Sequence, residues 1–105
     1  MKIYISGKIS GTTDYKKRFC SAEREIRKAM GGGVSIVNPG MMQEFTDWEW
    51  SDYMRRDIQN LMDCDAIYML RGWRRSSGAR IEHYIAKRLG LAIVYQNKRG
   101  IVSWK

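Results

Sequence analysis

A chain of 105 residues is the size of one ordinary domain, so residues 1–105 are expected to form a single unit of about four or five strands and three helices. With 44% hydrophobic and 11% aromatic residues, it has enough apolar surface to offset the entropy of ordering, which excludes an intrinsically disordered chain. A net charge of +8 favours an anionic partner (phosphate, nucleotide or nucleic acid), the alternative being a solvated basic surface that only aids solubility.

Residues 2 to 6 alternate around Ile3 and Ile5 and are stopped by Gly7, Ser10 and Gly11, which predicts a first strand. Tyr15, Phe19, Ala22, Ile26 and Met30 recur at spacings of three and four, the apolar stripe of a helix over about 13–30 that Gly31, Gly32 and Gly33 end. Val34 to Val37 reads as a second strand. Asn38, Pro39 and Gly40 stop it, and a loop rich in Met and Trp follows to about residue 49. Met54, Ile58 and Leu61 predict a second helix over 50–63, and Asp65 to Leu70 a third strand. After the loop Arg71 to Ser77, the apolar positions Ala79, Ile85, Ala86 and Leu89 predict a helix over 78–89, capped by Ser76 or Ser77 and ended by Gly90. Leu91 to Tyr95 is a fourth strand, and Ile101 to Trp104 a candidate edge strand.

Strands alternating with helices imply right-handed βαβ units. The expected fold is therefore α/β, a small Rossmann-like or flavodoxin-like three-layer sandwich whose parallel sheet of 4–5 strands runs in the order 2-1-3-4(-5). In such sheets the ligand crevice lies beyond the carboxyl ends of the strands, where strand order reverses. The loops Ser6–Gly11, Asn38–Trp50 and Arg71–Gly78 should meet there.

The opening Met1-Lys2-Ile3-Tyr4-Ile5-Ser6-Gly7 reads as strand and turn rather than as a leader, and no apolar run approaches the roughly 20 residues of a membrane span. Cys20 and Cys64 show no ligand spacing and suit small apolar packing roles. A cytoplasmic setting is expected, with no metal site and no cofactor.

The turn Tyr4-Ile5-Ser6-Gly7-Lys8-Ile9-Ser10-Gly11 places two glycines and two serines between a strand and a helix. It can aim backbone NH groups at an anion, or simply be a tight turn. Arg71, Arg74, Arg75 and Arg80 surround the start of the third helix, where Ser76, Ser77 and Gly78 can hold a phosphate or cap the helix. Glu82 falls in the first turns of that helix at the border of its buried face, and Asp57 and Asp65 are candidates for a second carboxylate; the bland reading of each alone is a surface acid or a helix-dipole preference. Trp48, Trp50 and Trp73 lie on or beside crevice loops, as base-stacking groups or as packing. His83 should face away from Glu82, toward the surface or an interface.

Four segments, Tyr4-Ile5-Ser6-Gly7, Tyr53-Met54-Arg55-Arg56-Asp57-Ile58, Cys64-Asp65-Ala66-Ile67-Tyr68 and Gly78-Ala79-Arg80-Ile81-Glu82-His83, together resemble the nucleoside 2-deoxyribosyltransferase-like family, in an uncharacterised, often phage-associated branch. The spacing is also similar to that of the deoxynucleoside 5′-monophosphate N-glycosidases. The resemblance implies that Glu82 is a nucleophile, Asp57 the acid/base group, Tyr4 a hydrogen-bonding partner that orients the nucleophile, and Asp65 a structural acid at a strand start. It further implies that Ser76 binds a 5′-phosphate and that Gly7, Ile9 and Gly11 shape a phosphate-side loop in which Lys8 and Ser10 depart from the usual residues. Ser6, Trp73, Ser77 and Gly78 complete the substrate-binding set.

The function so implied is cleavage or transfer at the N-glycosidic bond of a 2′-deoxyribonucleoside or its 5′-monophosphate through a covalent glycosyl–Glu82 intermediate. The alternative is a non-catalytic nucleotide-binding protein, a sensor or sequestering module, on the same fold. The resemblance also implies a homo-oligomer. Nucleic acid is the lesser candidate partner, and a membrane is not expected.

Overall fold

The computed structural model describes residues 1–97 and the strand at 102–104. Its elements in chain order are β1 (Lys2–Ser6), α1 (Tyr15–Met30), β2 (Ser35–Val37), α2 (Trp50–Met62), β3 (Ala66–Met69), α3 (Ser77–Leu89), β4 (Ala92–Gln96) and β5 (Val102–Trp104). Short 3₁₀ turns at Pro39–Met41 and Trp73–Arg75 follow β2 and β3. The sheet order is β2-β1-β3-β4-β5, with β2, β1, β3 and β4 all parallel, so the α/β sandwich expected from the pattern is the fold.

The fifth strand departs from a wholly parallel sheet, since β5 pairs antiparallel with β4. Five residues separate the two strands, too few for the dozen or so that a parallel crossover needs. Of the edge strand expected at 101–104, Ile101 lies outside the described residues.

The two faces of the sheet follow the period-two alternation of strand side chains. Ile3 and Ile5 of β1, with Ala66 and Tyr68 of β3, pack against Phe19, Ala22 and Ile26 of α1. Tyr4 of β1, with Ile67 and Met69 of β3, faces the other way, onto Leu61 of α2 and Ala79 and Ala86 of α3. Both faces of β1 and β3 are therefore covered, which is why these central strands are almost uniformly apolar. Asp65 holds the start of this pair: its carboxylate and its NH bond to the Lys2 NH and carbonyl at 2.8 Å each.

Helix ends are set locally. Glu49 and Asp52 form a capping box at the start of α2, and the Ser76 hydroxyl caps α3 by accepting from the Ala79 NH at 3.1 Å. Gly90 ends α3 in the left-handed region at φ 75°. Cys64 is buried beneath α2, where burial pushes its thiol up to about 11. Among the described residues, no helix is long and apolar enough to cross a membrane.

Gly40 marks where the loop after β2 is pressed onto the core. A Cβ there would lie 2.4 Å from Cγ and 2.6 Å from Cβ of Phe19, which is fully buried. Gly40→Ala is expected to lower unfolding stability in urea by about 1 to 3 kcal/mol, the usual cost of overpacking a filled core.

Candidate active site

The period-two alternation that turns Tyr4 toward α3 turns Ser6 the same way. Both hydroxyls meet one carboxylate there. Tyr4 Oη donates to Glu82 Oε2 at 2.7 Å and Ser6 Oγ donates to Glu82 Oε1 at 2.6 Å, with all three residues buried. The α3 helix brings Glu82 to this point because its start packs closely on α2. A Cβ on Gly78 would lie 3.1 Å from Met54 Sδ.

From α2, Asp57 projects into the same cleft, buried and paired through Oδ1 to Arg56 Nε at 3.1 Å. Burial first, and the charge of Asp57 in lesser part, raise the Glu82 carboxyl to about 7 against the opposing pull of the Ser6 and Tyr4 hydrogen bonds. The Asp57 carboxyl is also raised by burial, with the Arg56 guanidinium working the other way. Tyr4 is held well above the usual phenol value by burial and by the Glu82 and Asp57 charges, so it remains a proton donor to the carboxylate.

The cleft has a volume of about 320 Å³, within the range of small-molecule sites. Tyr4, Gly7, Ile9, Asp57, Ser76, Gly78 and Glu82, distant in sequence, all line it. A second hollow adjoins it and is lined by Lys8, Arg75 and Ser77, with Ser10, Trp50, Ser76 and Gly78 common to both. The Ser76 hydroxyl caps α3 with a lone pair and keeps its own proton to donate, so capping and phosphate binding are compatible there.

Three expected site residues lie elsewhere. Trp73 is outside both hollows, with its ring on His83 at 4.3 Å and Arg74 over it at 4.8 Å, because the 3₁₀ turn Trp73–Arg75 directs it toward β4. Gly11 is also outside, and its φ of 76° serves the turn into α1. Ser6 lies behind the cleft, its hydroxyl committed to Glu82 rather than open to a ligand. His83 is half-buried, not on the open surface, with Nε2 2.8 Å from the Tyr95 hydroxyl. Of the tryptophans, Trp50 lines both hollows, whereas Trp48 stacks on Phe45 at 4.4 Å.

Residues not anticipated also line the cleft. Tyr15 and Phe19 look like helix core in the sequence, and Phe19 is both core and wall. Met42 and Glu44 come from the loop after β2, and Tyr53 and Arg56 from α2. The signals for these were the expected crevice loop Asn38–Trp50, which holds Met42 and Glu44, and the adjacency of Arg56 to Asp57. Among the described residues, no three His, Cys, Asp or Glu side chains form a metal-binding group.

Residues 1–95 match a family described as a domain of unknown function, DUF4406, and the chain belongs to that family. A sequence comparison with curated proteins finds no match.

The raised carboxyl makes the site costly to keep ionised. Between pH 4.5 and about 7 the folded chain holds a proton on Glu82 that the unfolded chain has lost, so stability falls as pH rises through this window. The cost approaches on the order of 3 kcal/mol above pH 7. Glu82→Gln keeps the shape, with one hydroxyl donating to the amide oxygen and the other accepting from the amide NH2, so its urea stability should exceed that of the wild type at pH 8 and decline less from pH 5 to 8.

Proposed function

We propose that the protein cleaves or transfers at the N-glycosidic bond of a 2′-deoxyribonucleoside 5′-monophosphate through a covalent intermediate on Glu82. The observation that carries this reading is a buried carboxylate aligned by two hydroxyl donors, in a cleft that also holds a second buried carboxyl. Each Glu82 oxygen accepts one hydrogen bond and keeps a lone pair for attack.

In the first step a Glu82 oxygen forms a bond to C1′ as the C1′–N bond breaks. The electron pair leaves with the base, and Asp57 supplies the proton that neutralises it. In the second step water or another base attacks C1′, gives its proton to Asp57, and frees Glu82. Tyr4 and Ser6 hold the carboxylate in place through both steps. The Ser76 and Ser77 hydroxyls and the charges of Lys8 and Arg75 suit a 5′-phosphate in the adjoining hollow. A cytoplasmic protein assembled as a homo-oligomer is part of this reading.

A carboxylate and a proton donor are both present only when the Asp57–Glu82 pair holds one proton. The raised Glu82 carboxyl, at about 7, marks where the pair loses its last proton, and the reacting form below that point is the tautomer in which Asp57 rather than Glu82 carries it. A plot of kcat/KM against pH should be bell-shaped with its alkaline limb near 7.

Incubation with deoxynucleosides and their 5′-monophosphates, followed by assay of free base, tests the reading directly. Glu82→Gln should abolish release while still binding nucleotide. Tight binding without release by the wild type would instead establish the nucleotide-binding module. Ser76→Ala should weaken monophosphates by about 1 to 3 kcal/mol and leave unphosphorylated nucleosides almost unchanged, as expected for one hydrogen bond to a charged group. Equal losses for both would refute the phosphate role.

A further inference from the structure

Strand order lays the cleft out in space. The loop after β2 lies at one end, β1 with Tyr4 in the middle, and the start of α3 at the other end, where the adjoining basic hollow opens. Given the proposed reaction at Glu82, on which this inference rests, a phosphate toward Ser76 and Arg75 leaves the base pointing to the β2 loop.

That end is walled by Phe19, Pro39 and Met42, apolar surfaces suited to the faces of a base. Its polar groups are mostly committed. The Tyr53 hydroxyl accepts from the Phe45 NH at 2.7 Å and donates to the Phe45 carbonyl at 2.8 Å. Arg56 turns its guanidinium to Asp57 and, at 2.9 Å, to the Gln43 carbonyl, with the Trp48 and Tyr53 rings against it.

Glu44 is different. Its exposed carboxylate accepts through Oε1 from the Tyr15 hydroxyl at the cleft mouth, between the start of α1 and the loop, and among the described residues its other oxygen has no such partner. A carboxylate accepts and does not donate, and the phenol that has given its proton to Glu44 can likewise only accept from a ligand. This end therefore rewards an NH donor and repels a carbonyl.

We infer that Glu44 makes the cleft select bases with an amine at the ring position where their oxo counterparts carry a carbonyl, adenine at C6 or cytosine at C4. Discrimination of this kind comes as much from the carbonyl pressed against a carboxylate as from the hydrogen bond gained.

Two pairs of deoxynucleoside 5′-monophosphates test the effect, those of deoxyadenosine against deoxyinosine and of deoxycytidine against deoxyuridine. Each pair exchanges amine for carbonyl on the same ring and turns the adjacent ring nitrogen from acceptor to donor. The change of preference on removing the Glu44 charge, not the preference alone, therefore carries the test. Calorimetric titration of Glu82→Gln, which avoids turnover, should show the amine member bound roughly 10- to 100-fold tighter in at least one pair. Adding Glu44→Gln should bring that ratio to within about threefold, because an amide can turn to donate or accept. Equal or tighter binding of the carbonyl member in both pairs overturns the inference, as does a preference that survives Glu44→Gln. Base release by the wild type is scored separately. Amine-selective binding without release removes the N-glycosidic reading and upholds the role of Glu44, whereas failure of every nucleotide to bind overturns both.

Discussion

A carboxylate removed from water is expensive unless hydrogen bonds replace its hydration, and the cost of holding Glu82 inside the protein constrains everything around it. Two hydroxyls from the central strand meet that need: Tyr4 and Ser6, two residues apart on one face of β1, each donate to one carboxylate oxygen. For them to reach it, α3 must begin just beyond β3 and lie across β1. The lack of a Cβ at Gly78 allows that approach by letting Met54 of α2 come against the helix start. Sheet order, helix start and carboxylate position are thus one arrangement.

The second carboxyl turns this structural cost into chemical potential. Asp57 adds negative charge to a site already short of water, and each buried carboxyl is displaced toward its protonated form. Arg56 limits the displacement of Asp57 without touching Glu82, which makes the two groups unequal. Unequal carboxyls in one cleft are what acid/base and nucleophilic roles require. The same arrangement lowers stability at neutral pH, a cost that proteins commonly carry at functional sites.

Charge is also distributed unevenly over the fold. Arg18, Arg27, Arg55 and Arg56, on α1 and α2, each pair with a nearby acid. Around the start of α3, Arg74 packs over Trp73, and Arg75 lines the hollow with Lys8 without forming an ion pair among the described residues. The pairs of Arg18, Arg27 and Arg55 lie on exposed helix surfaces, where such pairs contribute little to stability, so these three arginines mainly balance charge. Lys8 and Arg75 place part of the excess where helix NH groups and serine hydroxyls already favour an anion.

Much of the architecture was legible in the residue order. Apolar runs of strand length alternating with stripes of helical spacing determine an α/β sandwich, and the glycines and Ser76 place the helix ends to within a residue or two. The set Tyr4, Asp57, Ser76 and Glu82 was implied by the family resemblance rather than by local pattern, and all four line one cleft. Local pattern did not determine which neighbours complete the site. Phe19 and Tyr15 have the spacing of core residues, and only the fold of the loop after β2 against α1 makes them cleft wall. Ser6 and Trp73 show the limit most plainly: strand pleat gives the Ser6 hydroxyl to Glu82, and a 3₁₀ turn sends Trp73 to His83. The sequence by itself determined the elements, their order and the residues able to do chemistry. Tertiary structure decided which of them face one another, because that depends on side-chain direction and helix approach, which no local spacing encodes.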